Sequence, residues 1–268
     1  MLVQDYISPG CFDESLIEGG APRASSEALV TYLASMDMKQ VQALQKLADA
    51  TIARMGVSFT VYSDQGNIDR AWPFDIWPRT IEASEWRQVE LGLAQRLKAL
   101  NRFIHDVYNE RAIFKAGIVP EEVVFSSRNF RPECVGMQPK HQAWANICGT
   151  DLVRDASGQF FVLEDNLRVP SGVSYMLENR AVMKQVVPEL FENLHIQPMG
   201  DYPNKLLSML SSLSPNDGGV PEVVVLTPGI YNSAYYEHAF LAHEMGAELV
   251  EGGDLLVGED DYVYMRNI

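Results

Sequence analysis

Long apolar runs are missing from this 268-residue chain. The longest, VVVL at 223–226 and FFVL at 160–163, fall far short of the ~20 residues a membrane helix needs. The opening stretch, MLVQDYISPG, has neither a basic segment nor an apolar core, so no secretory leader is expected. Cysteine is scarce. Cys11, Cys134 and Cys148 make an odd count with no CxxC pair, which argues against a disulfide framework and against a zinc site. A reducing, cytoplasmic setting is the expectation. Positive charge is also short, 21 basic against 36 acidic residues for a net −15. That balance disfavours nucleic acid and anionic lipid as partners, because phosphate surfaces recruit basic patches. No GxGxxG occurs, so a dinucleotide fingerprint is lacking.

What remains is a globular composition: 47% hydrophobic, 10% aromatic and 21% charged. This is enough for one large domain or two to three smaller ones, and too apolar for disorder. Residues 1–25 read as an extended arm. A short helix over 26–35 is followed by Asp37, a good N-cap for a second helix whose apolar face is Val41, Leu44, Leu47, Ala48, Ile52 and Met55. Gly56 supplies its stop. The period then changes to two, and 57–77 reads as a hairpin turning at DQGN, with Pro73 and Pro78 weakening its second strand. Arg79 follows in WPRT and reads as a structural cation beside Trp77, or else as a phosphate or carboxylate contact. Ser84 is expected to cap the strongest helix. There Trp86, Val89, Leu93, Leu97, Leu100, Ile104 and Val107 form a one-sided stripe that predicts burial in the core. His105 near its end reads as a satisfied or surface histidine. VPEEVVF at 119–125 begins another element, and Arg128 and Arg131 fall in the loop after it.

The stretch 142–180, QAWANICGTDLVRDASGQFFVLEDNLRVPSGVSYMLENR, concentrates the chemistry. AWANICGTDLV and QFFVLEDN are strand-like, and DASG between them has turn composition. Glu164 and Asn166, at i and i+2, project from one face of a strand. If Arg154 pairs with Gln159 across a loop 155–158, Asp151 lies opposite Val162, diagonal to Glu164 on the same face. A loop one residue shorter would put Asp151 on the other face. Two carboxylates ~4 Å apart repel by a few kcal/mol at an effective dielectric near 20, and a divalent cation removes that cost. Two carboxylates and an amide oxygen with open positions suit Mg²⁺, which prefers oxygen ligands and completes its shell with phosphate and water. The plainer alternative is that acids at strand ends face water.

The segments GTDLVRDASGQFFVLEDNLRVPSGVSYMLENR, FTVYSDQGNIDRAWPFDIWPR, LNRFIHDVY and VVVLTPGIYNSAYYEHAFLAHEMGAELVEGGDL resemble the circularly permuted ATP-grasp proteins, relatives of the glutathionylspermidine synthetase type. The resemblance runs over nearly the whole chain. It implies that Asp151, Glu164 and Asn166 hold Mg²⁺ between the phosphates of ATP. It also implies acyl-phosphate chemistry, in which ATP phosphorylates a carboxylate and an amine or thiol then attacks. Arg154 and Arg168 are the nearest candidate catalytic cations. Arg168, Ser171 and Gly172 are candidate nucleotide contacts, with Ser174 as a further loop hydroxyl or as a helix cap. Residues 175–193 read as one helix.

Residues 222–250 form a β-α-β pattern that favours a parallel sheet with a right-handed crossover. His238 and His243 fall in its helix and read as structural, and TPGIYN at the strand end could be a ligand loop. The unit resembles the small Rossmann-like domain that accompanies ATP-grasp cores. The chain closes on DYVYMRNI, read as a strand. No Gly-rich, Lys-bearing nucleotide lid is found, so the lid half is expected to lie outside this sequence.

The fold expectation is therefore α/β, mixed α+β: an ATP-grasp-type core with an antiparallel sheet, plus a small Rossmann-like parallel β-α-β domain. Three parts follow: 1–125, helical with a hairpin; 126–200, the Mg-binding half of the core; and 201–268, Rossmann-like. The expected function is an ATP-dependent carboxylate–amine ligase acting on small-molecule or peptide substrates, with ATP and Mg²⁺ and no nucleic acid or membrane partner. Two alternatives stand beside it. One is a catalytically incomplete scaffold or binding module. The other is a metal-dependent hydrolase, which would need a general base, and His141 lies just outside the stretch.

Overall fold

In the computed structural model the described residues are 10–63, 66–215 and 219–266. They form two compact units that interleave in sequence. One comprises residues 14–80 and 171–266, the other 10–13 and 81–170.

The first unit begins with helices α1 (Glu27–Ala34) and α2 (Met38–Met55). As expected, α2 starts on Asp37. Its carboxylate accepts from the Gln40 N–H at 2.8 Å, while the Gln40 side chain accepts from the Asp37 N–H at 2.8 Å, a complete capping box. Gly56 ends it in the left-handed region, φ 70°. Strands β1 (Ser58–Ser63) and β2 (Gly66–Ala71) form the antiparallel hairpin. The second strand stops at Ala71 and not at 77, because Pro73 cannot donate to a ladder. Asp64 and Gln65, at the expected turn, lie outside the described residues.

In the second unit α3 spans Ala83–Tyr108. Its N-cap is Glu82, so Ser84 sits inside the first turn and does not cap it. The stripe is not a buried core. Val107 alone in it is buried, Trp86 is exposed and the rest are half-buried. The elements that follow α3 are too short to cover a 26-residue helix: α4 (Ala112–Lys115) and α5 (Glu121–Phe125). His105 is satisfied, its Nδ1 lying 3.3 Å from the Trp144 indole N–H. Strands β3 (Gly149–Arg154) and β4 (Phe160–Asn166) close this unit.

Back in the first unit, the single helix read over 175–193 is two, α6 (Val173–Val186) and α7 (Pro188–Asn193). Pro188 offers no N–H and drives Val187 out of helical geometry (φ −137°, ψ 61°). Then come α8 (Tyr202–Ser212), β5 (Val224–Leu226), α9 (Tyr235–Met245) and β6 (Glu248–Val250). β5 and β6 pair in parallel, as the β-α-β pattern requires. β7 (Leu255–Val257) and β8 (Val263–Met265) make a last antiparallel pair. The strand read in DYVYMRNI is β8. Asn267 and Ile268 lie outside the described residues.

The core of this unit packs α2 and α6 around Leu33, Ile52, Val57, Val182, Val186 and Val187. Trp72 stacks on Tyr175 at 4.0 Å, and the Tyr175 hydroxyl donates to the Ser58 carbonyl at 3.1 Å. Arg79 neither stacks on Trp77 nor lies free. It forms a two-point ion pair with Glu14, at 2.5 and 2.7 Å. The architecture is the mixed α/β expected, with small antiparallel sheets and one parallel β-α-β unit. Among the described residues no helix is long and apolar enough to cross a membrane.

Candidate functional site

The β3–β4 hairpin turns on Asp155. Its carboxylate accepts from the Ser157 hydroxyl at 2.7 Å and from the Ser157 and Gln159 amides, each at 2.9 Å. Those bonds, led by the Ser157 hydroxyl, hold its carboxyl below the usual range. The ladder then starts with Arg154 opposite Phe160, one residue away from the Arg154–Gln159 pair the sequence suggests. Continued regularly, it would set Asp151 against Leu163 and turn Glu164 to the other face. A β-bulge intervenes between Leu152 and Asp151, with Leu163 as the extra residue. Asp151 therefore faces Glu164 directly, not Val162, and Gly149 faces Asn166.

Asp151, Glu164 and Asn166 thus share one exposed face. Directly opposed residues have Cβ atoms about 5 Å apart. The Asn166 amide donates to Glu164 Oε1 at 3.3 Å, so these two side chains touch. The neighbouring pair Val153 and Phe161 is also exposed and gives this face an apolar side.

The opposite face is structural. Asp165, in the middle of the Glu-Asp-Asn run, is turned inward with its side chain only 9% exposed. It accepts from Thr150 Oγ at 3.0 Å and from Arg96 Nε at 2.7 Å, tying the hairpin to α3. Arg154 is also turned inward, and its side chain is 7% exposed. It pairs with Glu85, donates from Nε to the Gly158 carbonyl at 2.8 Å, and stacks over Phe12 (4.0 Å) and Phe160 (4.5 Å). The structure therefore does not bring Arg154 together with the acid face. Burial raises the Cys148 thiol pKa, with Asp165 adding to it.

Arg168 lies two residues beyond Asn166, exposed, with no side-chain hydrogen bond or ion pair among the described residues. Arg128 and Arg131 sit on exposed loop. Ser171 and Gly172 belong to the other unit. Ser171 is exposed, and Gly172 is the N-cap of α6, at φ 113°. Its N–H is already engaged, donating to both carboxylate oxygens of Glu237 at 2.8 and 2.9 Å. Ser174 does not cap the helix. Its N–H (3.0 Å) and hydroxyl (2.6 Å) donate to the same carboxylate. Glu237, on α9 and 3% exposed, is therefore the anion that the α6 N-terminus binds.

Sequence reasoning missed Glu237, Asp165 and the bulge. The alternation within Glu-Asp-Asn does signal that Asp165 points opposite to its neighbours. Nothing local marks Glu237, whose partners are more than 60 residues away in sequence. His238 beside it lies 3.0 Å from Thr227 Oγ, and burial depresses its pKa, partly offset by Glu237.

The model of the circularly permuted ATP-grasp type 2 family matches residues 78–268. An uncharacterised protein of Synechocystis is 47% identical over 99% of this chain and 55% of its own length. An uncharacterised Mycobacterium tuberculosis protein is 40% identical over 95% of this chain and 45% of its own. A Frankia alni protein named "Putative glutamate--cysteine ligase 2-3" is 40% identical over 98% of this chain and 30% of its own. The chain thus spans about half the length of the first two relatives and less of the third. It is a member of the circularly permuted ATP-grasp type 2 family.

Proposed function

We propose that this chain carries the metal-binding half of an ATP-dependent carboxylate–amine ligase, with Asp151, Glu164 and Asn166 as the ligands of Mg²⁺. The observation that carries the reading is the bulge at Leu163. It sets Asp151 opposite Glu164, with Asn166 touching Glu164, on the exposed face of the hairpin. Asp165 serves as an internal contrast, since it is buried and spent on Thr150 and Arg96. The other three present oxygens that no buried network consumes, which fits a hard cation with open positions. Family membership supports ATP as the co-substrate.

When bound, Mg²⁺ bridges phosphate oxygens and neutralises their charge. The residues of this chain would do the rest. Asp151 and Glu164 supply two carboxylates to the ion, and Asn166 supplies a neutral oxygen. Arg168, exposed and unpaired among the described residues, is placed to meet a phosphate. Arg154 acts indirectly by bracing the hairpin against Glu85, Phe12 and Phe160. In ligation a substrate carboxylate oxygen takes the γ-phosphoryl group and ADP leaves. An amine then attacks the acyl carbon, phosphate leaves with the C–O bond pair, and an amide remains. The name of the Frankia relatives describes a ligation of this class, a carboxylate to an amine. This chain covers 30% of those proteins, so glutamate and cysteine do not transfer as substrates.

A second reading, a binding scaffold without turnover, is favoured by the engagement of Arg154 and of the Gly172 N–H. These were two of the expected phosphate contacts. Mg²⁺-dependent ADP release from ATP separates the readings. The ligase reading expects release that Glu164→Ala abolishes; release unchanged in Glu164→Ala defeats the site assignment. Calorimetry in which Mg-ATP binds without any release favours the scaffold.

A further inference from the structure

We infer that Val169 is a positioning residue: its left-handed backbone, anchored by Pro170 against Gly149, aims Arg168 at a phosphate held by the Asp151–Glu164–Asn166 face. This rests on the metal-nucleotide reading above.

Val169 sits at φ 47°. Among the described non-glycine residues with positive φ it is the β-branched one; the others are Arg111, His141, Gln142 and Asp261. The left-handed region crowds the Cβ of any L-residue, and a branched Cβ most of all. Val169 also precedes Pro170, and residues before proline are pushed to extended backbone. Two independent preferences are therefore overruled at one position.

Burial of the valine does not compensate, because its side chain is 81% exposed. The anchor lies one residue further on. Pro170 packs on Gly149, the β3 residue opposite Asn166. A Cβ added to Gly149 would come within 2.7 Å of Pro170 Cβ, so only glycine admits this approach. The segment 166–170 is thus tied at both ends to the same point, through the ladder at Asn166 and through Pro170 on Gly149. A tight reversal must fit between them, and Val169 makes it. The residue that the reversal presents is Arg168, exposed and without a side-chain partner among the described residues. Backbone strain of this kind persists where it preorganises a binding group.

The test measures Mn²⁺–ATP affinity of the chain by electron paramagnetic resonance, alongside the thermal midpoint. Val169→Gly adopts the same backbone without strain but no longer enforces it. Affinity should fall about tenfold, the usual scale for groups that orient a ligand-binding residue, while the midpoint holds or rises. In an Arg168→Ala background, Val169→Gly should have no further effect, because it acts through the arginine. Gly149→Ala, which displaces Pro170, should reproduce the loss. Affinity unchanged in Val169→Gly, or a loss that adds fully to that of Arg168→Ala, overturns the inference. If Glu164→Ala abolishes binding and Val169→Gly does not weaken it, this inference alone fails. If the unsubstituted chain does not bind Mn²⁺–ATP, the functional reading fails and this inference with it.

Discussion

Replacing Glu237 by alanine should destabilise the protein by about 4 kcal/mol. The figure follows from three donors that converge on one carboxylate: the Gly172 N–H, the Ser174 N–H and the Ser174 hydroxyl. Ser174 is fully buried, so its two donors would lose their partner without gaining water. Each such loss costs about 1–3 kcal/mol. Gly172 is half-buried and water can replace part of its bond, so its share is smaller. Loss of the charge at the α6 N-terminus adds about 0.5–1 kcal/mol. Glutamine keeps one acceptor but turns an NH₂ group toward these donors, so Glu237→Gln should cost about half as much. Urea unfolding followed by circular dichroism measures both differences. Hydrogen exchange at the 172–176 amides should show the first turn of α6 opening before the rest of the helix. A cost below about 1 kcal/mol for Glu237→Ala would refute the reasoning, because the carboxylate would then contribute little beyond its own desolvation.

Three further outcomes follow from the same contacts. Arg154→Lys should destabilise the hairpin by about 2 kcal/mol in thermal unfolding, because a lysine cannot both stack between Phe12 and Phe160 and donate to Glu85 and Gly158. Deleting Leu163 should leave metal binding in place, since the ladder closes with Asp151 still opposite Glu164; loss of binding would show that Leu163 is not the extra residue. The His238 pKa is depressed in the folded state, so its contribution to stability is present above the ordinary histidine value of about 6.5 and is lost as pH falls below it. His238→Gln should flatten the pH dependence of the thermal midpoint between about pH 7 and 5, and an unchanged slope would exclude the linkage.

Much of the fold is legible where a local rule acts alone. Asp37 and Gly56 bound α2 because a cap and a left-handed stop each need only their neighbours. The β-α-β unit reads correctly because apolar strands and a Gly-terminated helix are short-range signals. The long α3 stripe reads as core and is only half-buried, since periodicity reports which face is apolar and not how much material covers it. Pro188 divides a helix whose hydrophobic period runs on unbroken.

The candidate site shows the same division. Glu164 and Asn166 share a face by spacing alone, and that expectation agrees with the hairpin. The pairing of Asp151 with Glu164 is reached by another route than the sequence suggests. The turn shifts the ladder by one residue and the bulge shifts it by one more, so the shared face is kept while Asp151 moves from diagonal to opposite. Bulges leave little mark in composition. Arg154 and Gly172 look like phosphate contacts in sequence because both are near the acids. Their actual partners, Glu85, Phe12 and Glu237, are distant in sequence and invisible to any local pattern.

The central claim is that Asp151, Glu164 and Asn166 form one divalent-cation site. Its most direct test is Mn²⁺ titration in the presence of ATP, monitored by electron paramagnetic resonance, for the unsubstituted chain and for Asp151→Ala, Glu164→Ala and Asn166→Ala. The account predicts one saturable ion per chain, with either carboxylate replacement weakening it at least tenfold and Asn166→Ala weakening it less. Equal Mn²⁺ affinity in all four proteins would contradict it.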